Sequence, residues 1–153
     1  KLTFDSPGAA VTLFSTDNKV VCLTMGSDIT PDFGKASVLN DAKKQLQDYF
    51  KGKSKALNFP VALGGTKFQQ SVWREIEKIG FGEVTTYAEI AKNIGNPKAV
   101  RAVGGAVGSN PVPLVIGCHR VLGASGRITG YSGGDGIPTK RWLLELEGIE
   151  TTD

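Results

Sequence analysis

The sequence predicts an α/β (α+β) protein built as two unequal lobes. A small N-terminal lobe of antiparallel strands plus one helix precedes a mostly helical C-terminal lobe with a winged-helix or helix-turn-helix-like surface. Three observations carry this reading. Strand-like runs at 11–14 and 19–25 are separated by the turn-prone Ser15-Thr16-Asp17-Asn18. From Thr66 onward, apolar residues recur at helical spacing behind two capping-box starts. The length of 153 residues suits one ordinary domain or one with a modest second lobe. The lobes are placed at 1–60 and 66–148.

Leu39, Ala42, Leu46 and Tyr49 recur every three or four residues and predict an amphipathic helix over 36–50. Lys51-Gly52-Lys53-Ser54-Lys55 reads as an exposed link, and nothing in this lobe points to chemistry, so it is read as a scaffold. Thr66-Lys67-Phe68-Gln69 has the form of a capping box, opening a helix to about residue 79 with Phe68, Val72, Ile76 and Ile79 on one face. A second box, Thr86-Tyr87-Ala88-Glu89, opens a short helix to about Asn93. Asn96 and Pro97 suit the N-cap and first position of a third helix reaching about Ser109. That third helix carries Ala99, Ala102, Gly104, Gly105, Ala106 and Gly108. Mid-helix glycines cost roughly 1 kcal/mol each against alanine, which calls for a reason. The two on offer are the approach of another backbone or tight packing on a neighbouring helix. Leu114-Val115-Ile116 is short and apolar, as a buried strand would be, and runs into Gly117-Cys118-His119-Arg120. A glycine-rich loop over 123–136 follows. The last helix is expected over 138–147, closed by Gly148.

Composition excludes several classes. With 40% hydrophobic and 22% charged residues, the chain has the material for a real core. No apolar stretch approaches the roughly 20 residues needed to span a bilayer, and the first residues show no leader pattern. The expectation is therefore a cytoplasmic protein, nuclear in a eukaryote, with no membrane partner. Cys22 and Cys118 are far apart without metal-ligand spacing, and His119 is the sole imidazole, so neither zinc nor another cofactor is expected. Cys22 lies in a strand pattern and reads as an inert, half-buried thiol. The net charge of +3 is modest, but residues 90–134 contain no Asp or Glu while Lys92, Lys98, Arg101, Arg120 and Arg127 supply five positives. Such a one-signed stretch fits a phosphate-facing surface as well as an ordinary solvated face.

A cysteine reacts as its thiolate, so a reactive Cys118 needs a group that lowers its pKa or takes its proton. His119 follows directly. Neighbours on a regular strand point to opposite faces, so His119 can serve Cys118 only if the chain leaves strand geometry there or a water bridges them. A third group should orient the imidazole. Glu145 and Glu147 on the last helix are the acidic candidates, and spacing does not choose between them.

The segment Asn110-Pro-Val-Pro-Leu-Val-Ile-Gly-Cys-His-Arg-Val121 resembles the active-site signature of O6-alkylguanine-DNA alkyltransferases. Tyr131-Ser132-Gly133-Gly134, Phe81-Gly82-Glu83-Val84 and the run from Asn96 to Gly105 fit the same family, so the likeness covers about 66–148. The resemblance implies direct, single-use DNA repair. Cys118 would accept an alkyl group from O6 of guanine, with O4 of thymine a second candidate, and be consumed. It implies His119 as a base acting through a water, and Glu145 rather than Glu147 as the group holding the imidazole. Tyr87 would assist the leaving base and crowd a phosphate. Tyr131, Ser132 and the backbone of Cys118 and Val121 would line the base pocket. Arg101, with Gly104 and Gly105 on the same helix, would meet DNA, Arg101 filling the space of a base rotated out of the stack. Asn110 would brace the turn into the site. The implied partner is double-stranded DNA containing O6-alkylguanine, met by a monomer without cofactor. One departure stands out: the family usually has proline where this chain has Gly117, a residue without proline's fixed φ.

Two other classes compete. A lesion-sensing or regulatory helix-turn-helix protein without chemistry would explain the basic stretch but leave Cys118 and His119 idle. A cysteine hydrolase would use the same groups for acyl transfer but leave Arg101 and the small-residue helix unexplained. A hydrolase turns over, an alkyl acceptor stops after one event, and a binding module shows no covalent change.

Overall fold

A computed structural model describes residues 1–7, 9–26, 30–131 and 133–151. Strands β1 (Leu2–Asp5), β2 (Ala10–Thr16) and β3 (Lys19–Met25) form an antiparallel sheet in the order β1-β2-β3. The β2–β3 connection is two residues, Asp17 and Asn18, with φ of 52° and 56°. Both are left-handed, as a type I′ hairpin turn demands, and Asp and Asn tolerate that conformation. Val11, Leu13, Val20 and Leu23 face inward from the sheet, where helix α1 (Ser37–Phe50) buries Leu39, Ala42, Leu46 and Tyr49 against it.

The C-terminal lobe holds α2 (Lys67–Glu77), β4 (Thr85–Thr86), α3 (Tyr87–Asn93), α4 (Val100–Gly108), a 3-10 turn at Cys118–Arg120, β5 (Val121–Leu122) and α5 (Ile137–Leu146). The capping box at Thr66 and Gln69 is formed in both directions, and Thr86 accepts from the Glu89 amide at the head of α3. β4 and β5 pair in parallel and carry the start of α3 against the segment that follows Cys118. Val103, Ala106 and Val107 bury one side of α4 against α2 and α3, with Trp73 Nε1 donating to the Ala106 carbonyl at 2.9 Å.

Three expectations need correction. The third helix begins at Val100, because Asn96 closes a turn by accepting from the Ala99 amide at 3.0 Å instead of capping the helix. β1 is an additional strand, paired in register with β2 from Leu2 opposite Leu13 to Asp5 opposite Ala10. Residues 114–116 are not a strand but part of a turn, in which Leu114 takes φ 78° and the Ile116 amide donates to the Val112 carbonyl.

The two lobes share one buried cluster, running from Phe4 and Val11 through Tyr49, Ile76 and Val103 to Leu143. Strand β3 also reaches the site segment directly. The Leu23 amide donates to the Pro111 carbonyl at 2.8 Å, and the Gly134 amide donates to the Met25 carbonyl at 3.0 Å. Among the described residues, no helix is long and apolar enough to cross a membrane.

Candidate active site

The approach to Cys118 is held by one side chain. Asn110 Nδ2 donates to the Ile116 carbonyl at 2.7 Å, and its Oδ1 accepts from the Val112 amide at 2.9 Å. The bracket closes the Pro-rich turn on itself. Gly117 then takes φ −73° and ψ 63°, and the Cys118 amide donates to the Ile116 carbonyl at 2.7 Å, an inverse γ-turn. Cys118, His119 and Arg120 follow as a 3-10 turn. The chain thus leaves strand geometry where Cys118 and His119 meet, so the two neighbours are not forced onto opposite faces.

Cys118 is 5% exposed and opens onto a pocket of about 310 Å³ lined by Tyr87, Gly104, Val107, Gly108, Gly130 and Tyr131. Burial pushes its thiol pKa up, opposed by Asn110, the Lys140 charge and the Tyr131 hydroxyl. The thiol is therefore protonated at rest. His119 is fully buried, and burial pushes its imidazole below the ordinary value, against the pull of Glu147. Nε2 lies 2.5 Å from Glu147 Oε2, and Nδ1 makes no hydrogen bond to the protein among the described residues.

Glu147 is 4% exposed and is the hub. Its Oε1 accepts from Arg120 Nε at 2.8 Å and the Gly82 amide at 3.1 Å. Its Oε2 accepts from the Tyr49 hydroxyl at 2.5 Å and Arg120 Nη2 at 3.0 Å, besides its contact with His119. Burial alone would raise this carboxyl, but hydrogen bonds from His119, Arg120 and Tyr49 hold it well below the usual carboxylate range. With Glu147 ionised, Nε2 carries the hydrogen and donates, which leaves Nδ1 as the acceptor.

The acid on His119 is therefore Glu147, not Glu145. Along α5 and its end, Lys140, Leu143, Leu144 and Glu147 fall on one buried stripe, while Glu145 points to solvent. Arg120 is also reassigned. It is buried, pairs with Glu147 and donates through Nη1 to the Ile79 carbonyl at 2.8 Å, so it lies inside rather than on a phosphate-facing surface. Val121 is fully buried in β5, its carbonyl accepting from Lys140 Nζ at 2.6 Å, and among the described residues its side chain is not at the pocket wall. Cys118, Tyr87, Tyr131 and Gly104 do meet there. Arg101 and Gly105 are exposed on α4. Ser132 lies outside the described residues.

A Cβ added at Gly104, Gly105 or Gly108 would meet nothing within 4 Å. Packing on a neighbouring helix is therefore not why α4 keeps these glycines. Two residues of the site have no site role in the sequence reading: Tyr49 and Lys140. Lys140 is fully buried, its pKa lowered to about 8 by burial, with its Nζ 6.0 Å from the centre of the Tyr87 ring. The seven-residue step from Lys140 to Glu147, with Leu143 and Leu144 between, is the signal that could have found it and chosen between the glutamates.

A buried thiol thus lines a pocket, with an adjacent imidazole fixed by a carboxylate and an exposed small-residue helix beside them. Comparison with known proteins narrows what this arrangement can be. The family model described as 6-O-methylguanine DNA methyltransferase, DNA binding domain, matches residues 67–149. A methylated-DNA–protein-cysteine methyltransferase of Methanosarcina acetivorans is 51% identical over 71% of this chain and 68% of its own length. The Haemophilus influenzae protein of that name is 46% identical over 76% of this chain and 64% of its own length. The Mycobacterium tuberculosis H37Rv protein is 44% identical over 95% of this chain and 90% of its own length. A crystal structure of Mycobacterium tuberculosis OGT in complex with DNA superposes with a TM-score of 0.83 at 44% identity, covering 95% of this chain and 90% of that one. The chain belongs to the O6-methylguanine-DNA methyltransferase family, the methylated-DNA–protein-cysteine methyltransferases, enzymes of direct repair by alkyl transfer.

Proposed function

We propose that this chain repairs O6-alkylguanine in double-stranded DNA by taking the alkyl group onto Cys118, irreversibly and once per molecule. The observation that carries the reading is a buried Cys118 followed directly by His119, whose Nε2 lies 2.5 Å from the buried Glu147 carboxylate. Such an imidazole has only Nδ1 to offer as a base.

In the proposed reaction the thiol proton passes through a bridging water to His119 Nδ1. The sulfur then attacks the alkyl carbon, an S–C bond forms, and the O6–C bond breaks with its electron pair left on guanine. The Tyr87 hydroxyl, at the pocket wall, assists the leaving base with a hydrogen bond. Glu147 holds the imidazolium, and Lys140 favours the thiolate through its charge. The thioether has no route back, so the protein is spent.

An O6 inside a base stack cannot reach a buried sulfur, so the nucleotide must rotate into the pocket. The exposed face of α4 supports this. Its glycines leave room for a sugar-phosphate backbone, and the exposed Arg101 at its first turn would fill the vacated stack. The N-terminal and C-terminal lobes, about 1–60 and 66–148, act as a monomer without cofactor in a reducing compartment, cytoplasmic or nuclear.

Intact mass after incubation with a duplex oligonucleotide carrying one O6-methylguanine tests the reading. A stoichiometric gain of roughly 14 Da mapped to Cys118, absent from Cys118→Ala, is expected. Binding to the lesion with no mass change would overturn it in favour of a recognition module.

A further inference from the structure

We propose that Tyr49, on α1 of the N-terminal lobe, is a positioning residue for the transfer reaction. Its hydroxyl donates to the same Glu147 oxygen that holds His119, and so sets how strongly that carboxylate draws on the imidazole. The inference rests on the reading of Cys118 and His119 above.

The two oxygens of Glu147 are used differently. Oε1 takes Arg120 Nε and the Gly82 amide, which fix the carboxylate in place. Oε2 takes Tyr49 and His119, each at 2.5 Å, and Arg120 Nη2 at 3.0 Å. A buried tyrosine needs a partner for its hydroxyl, and any carbonyl would serve that need. Here the hydroxyl shares one oxygen with the imidazole. Each further donor on that oxygen spreads its negative charge, so the hydrogen on Nε2 is drawn less strongly. The effect is relayed across the ring: weaker pull at Nε2 leaves Nδ1 less basic, and the imidazole stays neutral to lower pH.

The placement of Tyr49 is firm. It is 2% exposed, and its ring stands edge-on to Phe50 at 5.6 Å and Phe81 at 6.1 Å. Burial and then the Glu147 charge keep its hydroxyl protonated, so it remains a donor. The charged and titratable groups around the cluster are Arg120 beside Glu147 and His119, Lys140 near His119 and Cys118, Tyr131 near Cys118 and Tyr49, and Lys55 over the Phe81 ring. All are retained when only the Tyr49 hydroxyl is removed.

The test is the single-turnover rate of transfer from an O6-methylguanine duplex, followed from about pH 5 to about pH 9 with the full chain. Tyr49→Phe should still react, with the acid limb of its profile raised by about half a pH unit or more. Site-specific 3-fluorotyrosine at position 49 keeps the ring and strengthens the donor, and should move the limb the opposite way. Phe50→Leu disturbs the packing beside Tyr49 and should lower the unfolding midpoint while leaving the limb in place. An unmoved limb with both altered donors, or an equal shift in Phe50→Leu, overturns the proposal and makes Tyr49 a packing residue. Failure of the unaltered chain to gain mass overturns the reading of Cys118 itself, a result distinct from an unmoved limb.

Discussion

Arg120 occupies the space that a side chain at position 117 would need. A Cβ built on Gly117 would lie 3.0 Å from Arg120 Nη1 and 3.1 Å from its Cδ. The backbone there is ordinary: φ −73° and ψ 63° lie within reach of other residues, proline's φ included. Space, not conformation, is what glycine supplies. Because Arg120 is tied to Glu147 and the Ile79 carbonyl, Gly117→Ala should displace a guanidinium that supports the site. The expected loss is about 1 kcal/mol, or about 2–4 °C in Tm, with slower transfer. A melt and a single-turnover rate decide it; an unchanged Tm would mean Arg120 yields freely.

Glu147 and Glu145 should separate cleanly. Glu147→Gln leaves Arg120 buried against a neutral partner and should cost roughly 3–5 kcal/mol of stability, with a large loss of transfer rate. Glu145→Gln, on the solvent side of α5, should stay within about 0.5 kcal/mol of the unaltered chain and react normally. Denaturant unfolding and mass-based rates measure both. The reverse ranking would restore Glu145 as the partner of His119.

Stability should fall on the acid side in two steps. His119 is held below its ordinary 6.5 and Glu147 below its ordinary 4.5. Both groups bind protons more readily unfolded than folded, so their contributions are complete above those ordinary values and are lost as pH falls towards the folded ones. Urea unfolding between about pH 7 and about pH 4 should show a decline beginning near the histidine range and steepening in the carboxylate range. A flat curve would contradict the buried His119–Glu147 pairing.

Helix α4 should show a conflict between stability and binding. Gly105→Ala adds a methyl group into open space on a helix and should stabilise the protein by roughly 0.5–1 kcal/mol. The same methyl should weaken binding to lesion-bearing duplex. Arg101→Ala should weaken it too, by about fivefold to tenfold, with little change in Tm. If Gly105→Ala leaves binding intact, the small residues of α4 are not a DNA surface.

Much of the fold could be read locally. The capping box at Thr66 and Gln69, the Asp17-Asn18 turn and the periodicity of α1 are short-range signals, and each element formed where its residues indicated. The failures were long-range or too brief. Four residues of β1 are too few for periodicity to register. The apolar run at 114–116 had the composition of a strand, but the Asn110 side chain captures the Ile116 carbonyl and turns the chain instead. Cys118 and His119 were visible as neighbours. Their partner is ambiguous in the sequence because Leu143, Leu144 and Leu146 do not by themselves define the inward face, and Lys140, which does, is a charged residue that apolar periodicity passes over. Tyr49 stands 98 positions from Glu147, and nothing near it in the chain announces the contact.

The residue that anchors His119 follows every other member of its cluster in the sequence. A polypeptide leaves the ribosome from its N-terminus, so Tyr49, Gly82, Cys118 and His119 all emerge before Glu147. During that interval the imidazole has no carboxylate to fix its tautomer, and Arg120 has no counter-charge. The buried cluster around His119 is therefore closed only after the whole of α4 and the Cys118 turn have been made, so the last contact to form is the one that orients the imidazole.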